Sequence, residues 1–214
     1  MYTRPDKPDG IDTKGIQLVR RDSCPLVKQV STAVLEAIMY RKDKEAALDA
    51  ARRHVVGVLS GVHDVRQFVI SKQLRGDYKN DKQPHLYVAR KMAERRGHPV
   101  PSGSRVPYVF VETPCGGDPE SLQAEKAEDP EYAVQHGLAL DLLYYLDHQL
   151  ASPVCALLEV LVDDPQTAVF GHDSVKPLLD PLRAKRAQDI KTHRRVTKNR
   201  SNKQTEITKY FRLA

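Results

Sequence analysis

The spacing of apolar residues constrains this chain more than any other feature. Over most of its length they recur at three- and four-residue steps, so the fold must be built mainly from helices. From Pro25 to Tyr40, the set Leu26, Val27, Val30, Val34, Leu35 and Ile38 predicts an amphipathic helix with proline in its first turn, where a missing N–H breaks no hydrogen bond. A second helix is predicted from Asp43, an N-cap residue type, to Ser60, with Ala47, Leu48, Ala51, Val55, Val58 and Leu59 on one side. These two would form an antiparallel hairpin. A third runs from Pro84 to Arg96, with Leu86, Val88, Ala89 and Met92 facing in and Arg90, Lys91, Arg95 and Arg96 mostly facing out. The strongest apolar surface is Leu142, Leu143, Leu146, Leu150, Val154, Leu157, Leu158 and Leu161, on a helix from Asp141 to Val162 that Pro153 should kink or split.

Two short β-prone runs, Phe68-Val69-Ile70 and Val106 to Val111, flank the third helix and predict a small sheet edge. The expected class is therefore mainly α with a small β element. The first dozen residues, with Pro5, Pro8 and Gly10 among charges, read as an extended lead-in. Asp118 to Glu131 is acidic and poor in large apolar residues, which predicts a surface loop, and Asp163-Asp164-Pro165 ends the compact part. A short helix is expected from Asp173 to Ala187, limited by Pro177 and Pro181. Lys191 to Lys203 has one large apolar residue, Val196, and reads as a solvated, flexible basic tail.

Charge is segregated along the chain. The net charge of +6 is the sum of a block from Met1 to Arg105 with 21 basic and 12 acidic side chains, one from Val106 to Leu182 with 2 and 14, and one from Arg183 to Ala214 with 11 and 2. At 214 residues and 40% apolar content, one ordinary domain is expected. No apolar run approaches the roughly 20 residues of a membrane span, and the N-terminus is polar where a signal peptide would be apolar, so no membrane partner and a cytosolic or nuclear location are expected. Cys24, Cys115 and Cys155 are isolated and odd in number, which indicates neither a disulfide framework nor a zinc site. The eight histidines, His54, His85 and His136 among them, read as surface or core fillers, and Tyr144 and Tyr145 as core residues of the long helix.

Chemistry concentrates in Lys14-Gly15-Ile16-Gln17-Leu18-Val19-Arg20-Arg21-Asp22. A glycine beside a lysine lets backbone and ammonium approach a phosphate together. Two arginines add fork-shaped donors, and an aspartate can hold one guanidinium in place. As composition alone, the run reads either as a phosphate-binding turn or as an exposed basic one. Its order is more specific. Asp12 to Pro25 resembles the last signature region of B-family DNA polymerases, the KG-x-x-x-VRRD segment that opens the thumb domain, and most closely that of delta-type enzymes and polymerases of large DNA viruses. The resemblance extends to Pro5-Asp6-Lys7, Phe68 to Leu74, Arg105 to Val109 and Tyr144 to Leu150, in family order.

This resemblance implies a division into a lead-in from the palm at 1–12, a thumb domain at 13–164, and a linker and basic tail at 165–203. It implies that Lys14, Arg20 and Arg21 contact primer-template phosphates, with Gly15 permitting close approach and Asp22 completing the motif. Gln17 stands where the family usually has an acidic residue. The palm and finger motifs, YGDTDS-like and SLYPS-like, do not occur, and two-metal catalysis needs their carboxylates. The chain alone should therefore be inactive and hold no cofactor. Mg²⁺ is implied for the palm, and the activity would be DNA-directed DNA polymerisation by the complete enzyme, in the nucleus or a viral replication compartment. The alternative is a stand-alone, non-enzymatic DNA-binding and clamp-binding protein.

Gln204-Thr205-Glu206-Ile207-Thr208-Lys209-Tyr210-Phe211 carries the second motif, at 204–211. In a turn with three residues per turn, Gln204, Ile207 and Tyr210 share one face with Phe211 beside it, an apolar plug with one polar anchor. It resembles the sliding-clamp-binding box, Q-x-x-[ILM]-x-x-[FY]-[FY], which makes a sliding clamp the implied partner. Delta-type enzymes end instead in two four-cysteine modules, and no C-x-x-C occurs here after Cys155.

Overall fold

The computed structural model describes residues 2–3, 11–12, 23–112 and 122–211, with side chains described in 23–112 and 122–195. Tyr2–Thr3 (β1) and Ile11–Asp12 (β2) pair antiparallel, Tyr2 opposite Asp12 and Thr3 opposite Ile11. The lead-in is thus not wholly irregular. A two-residue ladder needs only these few positions extended, and tyrosine, threonine and isoleucine favour that conformation.

Pro25–Glu36 (α1) begins with Pro25 in its first turn, as predicted, and runs into a π-helical turn, Ala37–Arg41, closed by Lys42 in the left-handed region at φ 50°. Lys44–Leu59 (α2) starts at Asp43, whose side chain accepts the Ala46 N–H at 3.1 Å. The two helices form the expected hairpin and bury Leu26, Val27, Val30 and Val34 against Leu48, Ala51, Val55 and Val58. A 3₁₀ turn, Val65–Phe68, then leads to Ile70–Gln73 (β3), so the first strand lies two residues later than predicted. The side chain of Asp64 accepts the Arg66 N–H at 2.8 Å and so favours a tight turn over a strand there.

Pro84–Arg96 (α3) has the predicted bounds and ends at Gly97, φ 75°. Arg105–Phe110 (β4) pairs antiparallel with β3, Ile70 opposite Tyr108 and Gln73 opposite Arg105. On its other side β4 pairs with Ala127–Glu128 (β5) through Val109 and Phe110 only. Pro107 lies beyond that short ladder, so its missing N–H breaks no hydrogen bond to β5. β5 corrects the expectation of a surface loop over 118–131, because residues 127–129 are buried. Residues 113–121, including Cys115, lie outside the described ones.

After Pro130–Gln135 (α4), Asp141 caps Leu142–Tyr144 (α5), accepting the Tyr144 N–H at 2.9 Å. A π-helical segment, Tyr145–Leu150, joins α5 to Ala151–Leu158 (α6). This is how the predicted 141–162 helix absorbs Pro153. The proline supplies no N–H to the carbonyl four residues back, and the bonding shifts register before it, with the Ala151 N–H donating to Leu146. The segment lies in the core: Tyr145, Leu146 and Leu150 are fully buried, and the Phe110 N–H donates to the Tyr145 hydroxyl at 3.0 Å. Tyr144 is half-buried against Phe110. Pro165–Phe170 (α7) is tied to α2 by Arg52, whose Nε donates to the Ala168 carbonyl at 3.0 Å.

The last element, Lys176–Phe211 (α8), corrects two expectations. The helix predicted over 173–187 does not stop at Ala187, and the segment 191–203 has helical backbone in place of irregular tail. Pro177 lies in the first turn of α8 and is tolerated there. Pro181 removes one hydrogen bond, and beyond it alanine, lysine, arginine and glutamine are good helix formers. This segment is helical by propensity without an apolar stripe, so hydrophobic periodicity does not register it.

Candidate nucleic-acid interface

The predicted phosphate-binding residues Lys14, Gly15, Arg20, Arg21 and Asp22 lie outside the described residues. Their segment joins the domain at Cys24, the N-cap of α1. Cys24 is buried, and burial pushes its thiol up to about 11, so it serves as an apolar anchor and not as a nucleophile. The clamp-box positions Gln204, Ile207, Tyr210 and Phe211 fall in the last two turns of α8, with their side chains outside those described. At about 100° per residue, these four positions occupy roughly a third of the helix circumference, so an α-helix also gathers them on one side.

Among the described residues, cations gather on the connection between β3 and α3. Arg75, Lys79 and Lys82 are exposed there, with Lys72 half-buried at its start. The connection is clasped by the Tyr78 hydroxyl, which accepts the Arg75 N–H at 2.7 Å, lies 3.3 Å from the Gln73 carbonyl and 2.9 Å from Nε2 of the buried His85. Burial, and then the charge of Lys72, lower the pKa of His85, so at neutral pH the ring adds no charge beneath the loop. The base of the loop is held by β4: Arg105 Nε donates to Ser71 Oγ at 3.1 Å and its Nη2 to the Ser71 carbonyl at 2.6 Å. Such a fixed loop can present ammonium and guanidinium groups to a polyanion with little ordering cost.

Arg90, Arg95 and Arg96 on α3 are exposed, as predicted, with Lys91 half-buried, and the domain also engages this basic face. Lys91 Nζ donates to the carbonyls of Glu125 (3.1 Å) and Ala127 (2.8 Å) and lies 3.3 Å from Glu128 Oε2. Arg95 grips both oxygens of Glu128 and stacks on Tyr132, its guanidinium carbon 3.4 Å from the ring centre, while Tyr132 stacks on His136. Burial opposes ionisation of Glu128. The Arg95 hydrogen bonds, the Asp129 N–H and the Lys91 charge outweigh it and hold the carboxyl below the usual glutamate range. These cations are occupied by the protein itself, leaving Arg90 and Arg96 as the more exposed ones, 3.8 Å from Asp81 and 3.7 Å from Asp129.

A third basic element meets the same acidic block. Arg186 of α8 pairs with the buried Asp141, Arg183 with Asp147 at 2.9 Å, and Lys185 approaches Glu112 at 3.9 Å. A cavity of about 190 Å³ remains beneath the helix, lined by Lys126, Leu142, Leu182 and Ile190 among others. Among the described residues, no group of three or more His, Cys, Asp or Glu side chains could hold a metal ion. No described helix is long and apolar enough to cross a membrane.

A family model for DNA polymerase family B matches residues 1–161. The chain is 40% identical over 211 residues to a DNA polymerase of Paramecium bursaria Chlorella virus NY2A, an alignment covering 99% of this chain and 23% of the viral one. It is 38% identical over 167 residues to the DNA polymerase delta catalytic subunit of Caenorhabditis elegans, covering 76% of this chain and 15% of that protein. Among solved structures, the family B DNA polymerase of the hyperthermophilic archaeon Pyrobaculum calidifontis superposes with a TM-score of 0.55 at 26% identity, over 66% of this chain and 18% of that one. The chain thus spans about a quarter or less of the length of these relatives. With the matched segment running from β1 through α6, the chain belongs to DNA polymerase family B.

Proposed function

We propose that the chain is the thumb of a delta-type family B DNA polymerase acting in DNA replication. It grips primer-template duplex through Lys14, Gly15, Arg20, Arg21 and Asp22, and tethers the enzyme to a sliding clamp through Gln204, Ile207, Tyr210 and Phe211. The observation that carries this reading is the family match over residues 1–161, which includes the KG-x-x-x-VRRD segment. The chemistry of that segment is electrostatic and independent of base sequence: three cations neutralise phosphates, and a glycine lets the backbone come close. Nucleotidyl transfer belongs to palm and finger portions, where carboxylates would hold Mg²⁺. This part contributes grip and processivity, in the nucleus or a viral replication compartment.

The test is co-expression with the palm and fingers of the same polymerase, scored for product length on a primed template. Extension with long products only when clamp is present is expected. Equal product lengths with and without clamp would remove the tether, and loss of dependence on this chain would remove the thumb assignment.

A further inference from the structure

Helix α8 divides into two electrostatic halves. Up to Asp189, three of its four cations reach carboxylates of the domain body: Arg183, Lys185 and Arg186 meet Asp147, Glu112 and Asp141. From Ile190 to Lys203 there are six lysines and arginines and no acidic residue. The family-model match ends at residue 161, and α8 lies beyond it within the part of the chain aligned with the viral polymerase.

Helical register sorts the second half further. Val175 and Leu179 are buried and Leu182, Arg186, Ile190 and His193 half-buried, which defines the inward face. Lys191 and Arg195 are exposed on the opposite side, and Lys198 follows at the next step of the same i, i+4, i+7 stripe. Like charges at that spacing repel one another and weaken a helix that lacks counter-charge. Carboxylates of the body pair with cations of the first half, while no acidic residue lies between Ile190 and Lys203, which suits this stripe to a polyanion. The stripe spans about 10 Å along the axis, about three base-pair steps measured along the axis of a duplex. The inner part of the helix is anchored to the body by the ion pairs of Arg183 and Arg186 and by the buried Leu179.

We infer that the outward stripe of α8, Lys191, Arg195 and Lys198, is a second contact for the phosphate backbone of duplex DNA, separate from the Lys14–Arg21 segment. The inference rests on reading the chain as a DNA-holding part of a polymerase. In that setting, a rigid basic rod between thumb and clamp box would steady the duplex as it leaves toward the clamp.

The experiment is a fluorescence-anisotropy titration of the 214-residue chain against a labelled duplex between 50 and 200 mM salt. Four proteins are compared: the unaltered chain, the stripe variant (Lys191→Gln, Arg195→Gln, Lys198→Gln), the grip variant (Lys14→Ala, Arg20→Ala, Arg21→Ala), and a control losing the same charge from exposed sites elsewhere (Lys28→Gln, Arg53→Gln, Arg66→Gln). Three phosphate contacts correspond to a salt slope of about 2.7, so the stripe variant should show a slope flatter by about that amount and at least tenfold weaker binding at the low-salt end. The control should bind as the unaltered chain does. An unchanged slope in the stripe variant overturns the inference, and it leaves the proposed function standing if the grip variant does flatten. Equal flattening in the control also overturns it, since net charge alone would then be responsible. So does a stripe variant that loses binding to anionic phospholipid vesicles while its duplex binding is kept.

Discussion

Arg95 and Glu128 meet at two points, 2.8 and 3.1 Å, across 33 residues of sequence, and so join α3 to the edge strand β5. Lys91 closes the same carboxylate from the other side, at 3.3 Å. The pair explains why an acidic block sits between two basic ones: Glu128 and Asp129 answer α3, and Asp141 and Asp147 answer α8. Part of the charge segregation that reads from the sequence as binding surface is thus answered inside the domain.

Replacing Glu128 by glutamine keeps the shape and removes the charge. Arg95 and Lys91 are then left partly buried without their anion, a loss of about 2–3 kcal/mol, below the range for fully buried pairs because both cations reach solvent. Urea unfolding at neutral pH should show the lowered midpoint with little change in slope, and a midpoint equal to that of the unaltered chain would show that the pair contributes nothing.

The same carboxylate sets a pH dependence. Its pKa is lowered in the folded state, so between the folded and unfolded values the unfolded chain binds more protons, and stability must rise with pH. The contribution is complete above the unfolded glutamate value, about 4.3, and is lost as pH falls through the folded one. Unfolding curves from pH 3 to 7 should therefore converge for the unaltered chain and Glu128→Gln at the acid end and separate toward neutrality. Parallel curves would assign the shift to another group.

Tyr145 offers a test of the core. Its hydroxyl accepts the buried Phe110 N–H at 3.0 Å, and its ring meets Phe68 edge-on at 4.9 Å. Tyr145→Phe keeps the ring and leaves that N–H unpaired, at about 1–3 kcal/mol. Thermal unfolding should show the loss, with near-neutral behaviour indicating that Phe110 finds another acceptor.

The helices α1, α2 and α3 were legible because each carries its own signal: an apolar stripe, a proline or aspartate at the start, a glycine at the end of α3. β5 was not, because Glu128 looks like surface until Lys91 and Arg95 are brought to it from more than thirty residues away. The π segment over Tyr145–Leu150 was foreshadowed only as trouble near Pro153, since periodicity does not say how a helix will absorb a proline. For the candidate interface, the motif residues Lys14 to Asp22 are read from their order alone and lie outside the described residues. The clasp of Tyr78 on His85 and the latch of Arg186 on Asp141 depend on the tertiary fold, and no local pattern announces them.

The grip itself predicts a salt signature. Changing Lys14, Arg20 and Arg21 to alanine should weaken duplex binding and flatten its salt dependence by about 2.7 in log–log slope, uniformly across base sequences. An unchanged slope would move the contact elsewhere, the β3–α3 connection with Arg75, Lys79 and Lys82 being the next surface to test.

The four positions of the proposed clamp box lie on one side of α8 whether the backbone stays α-helical or tightens on binding. Gln204 alone is polar among them, so the apolar trio should supply most of the affinity by leaving water, and a full loss is expected when Ile207, Tyr210 and Phe211 all become alanine. A pull-down with the cognate clamp reads this directly. Gln204→Ala should weaken capture only in part, since it removes one anchor and no apolar area. Retained capture by the triple variant would show that the tether lies outside this motif, whatever the fate of DNA binding.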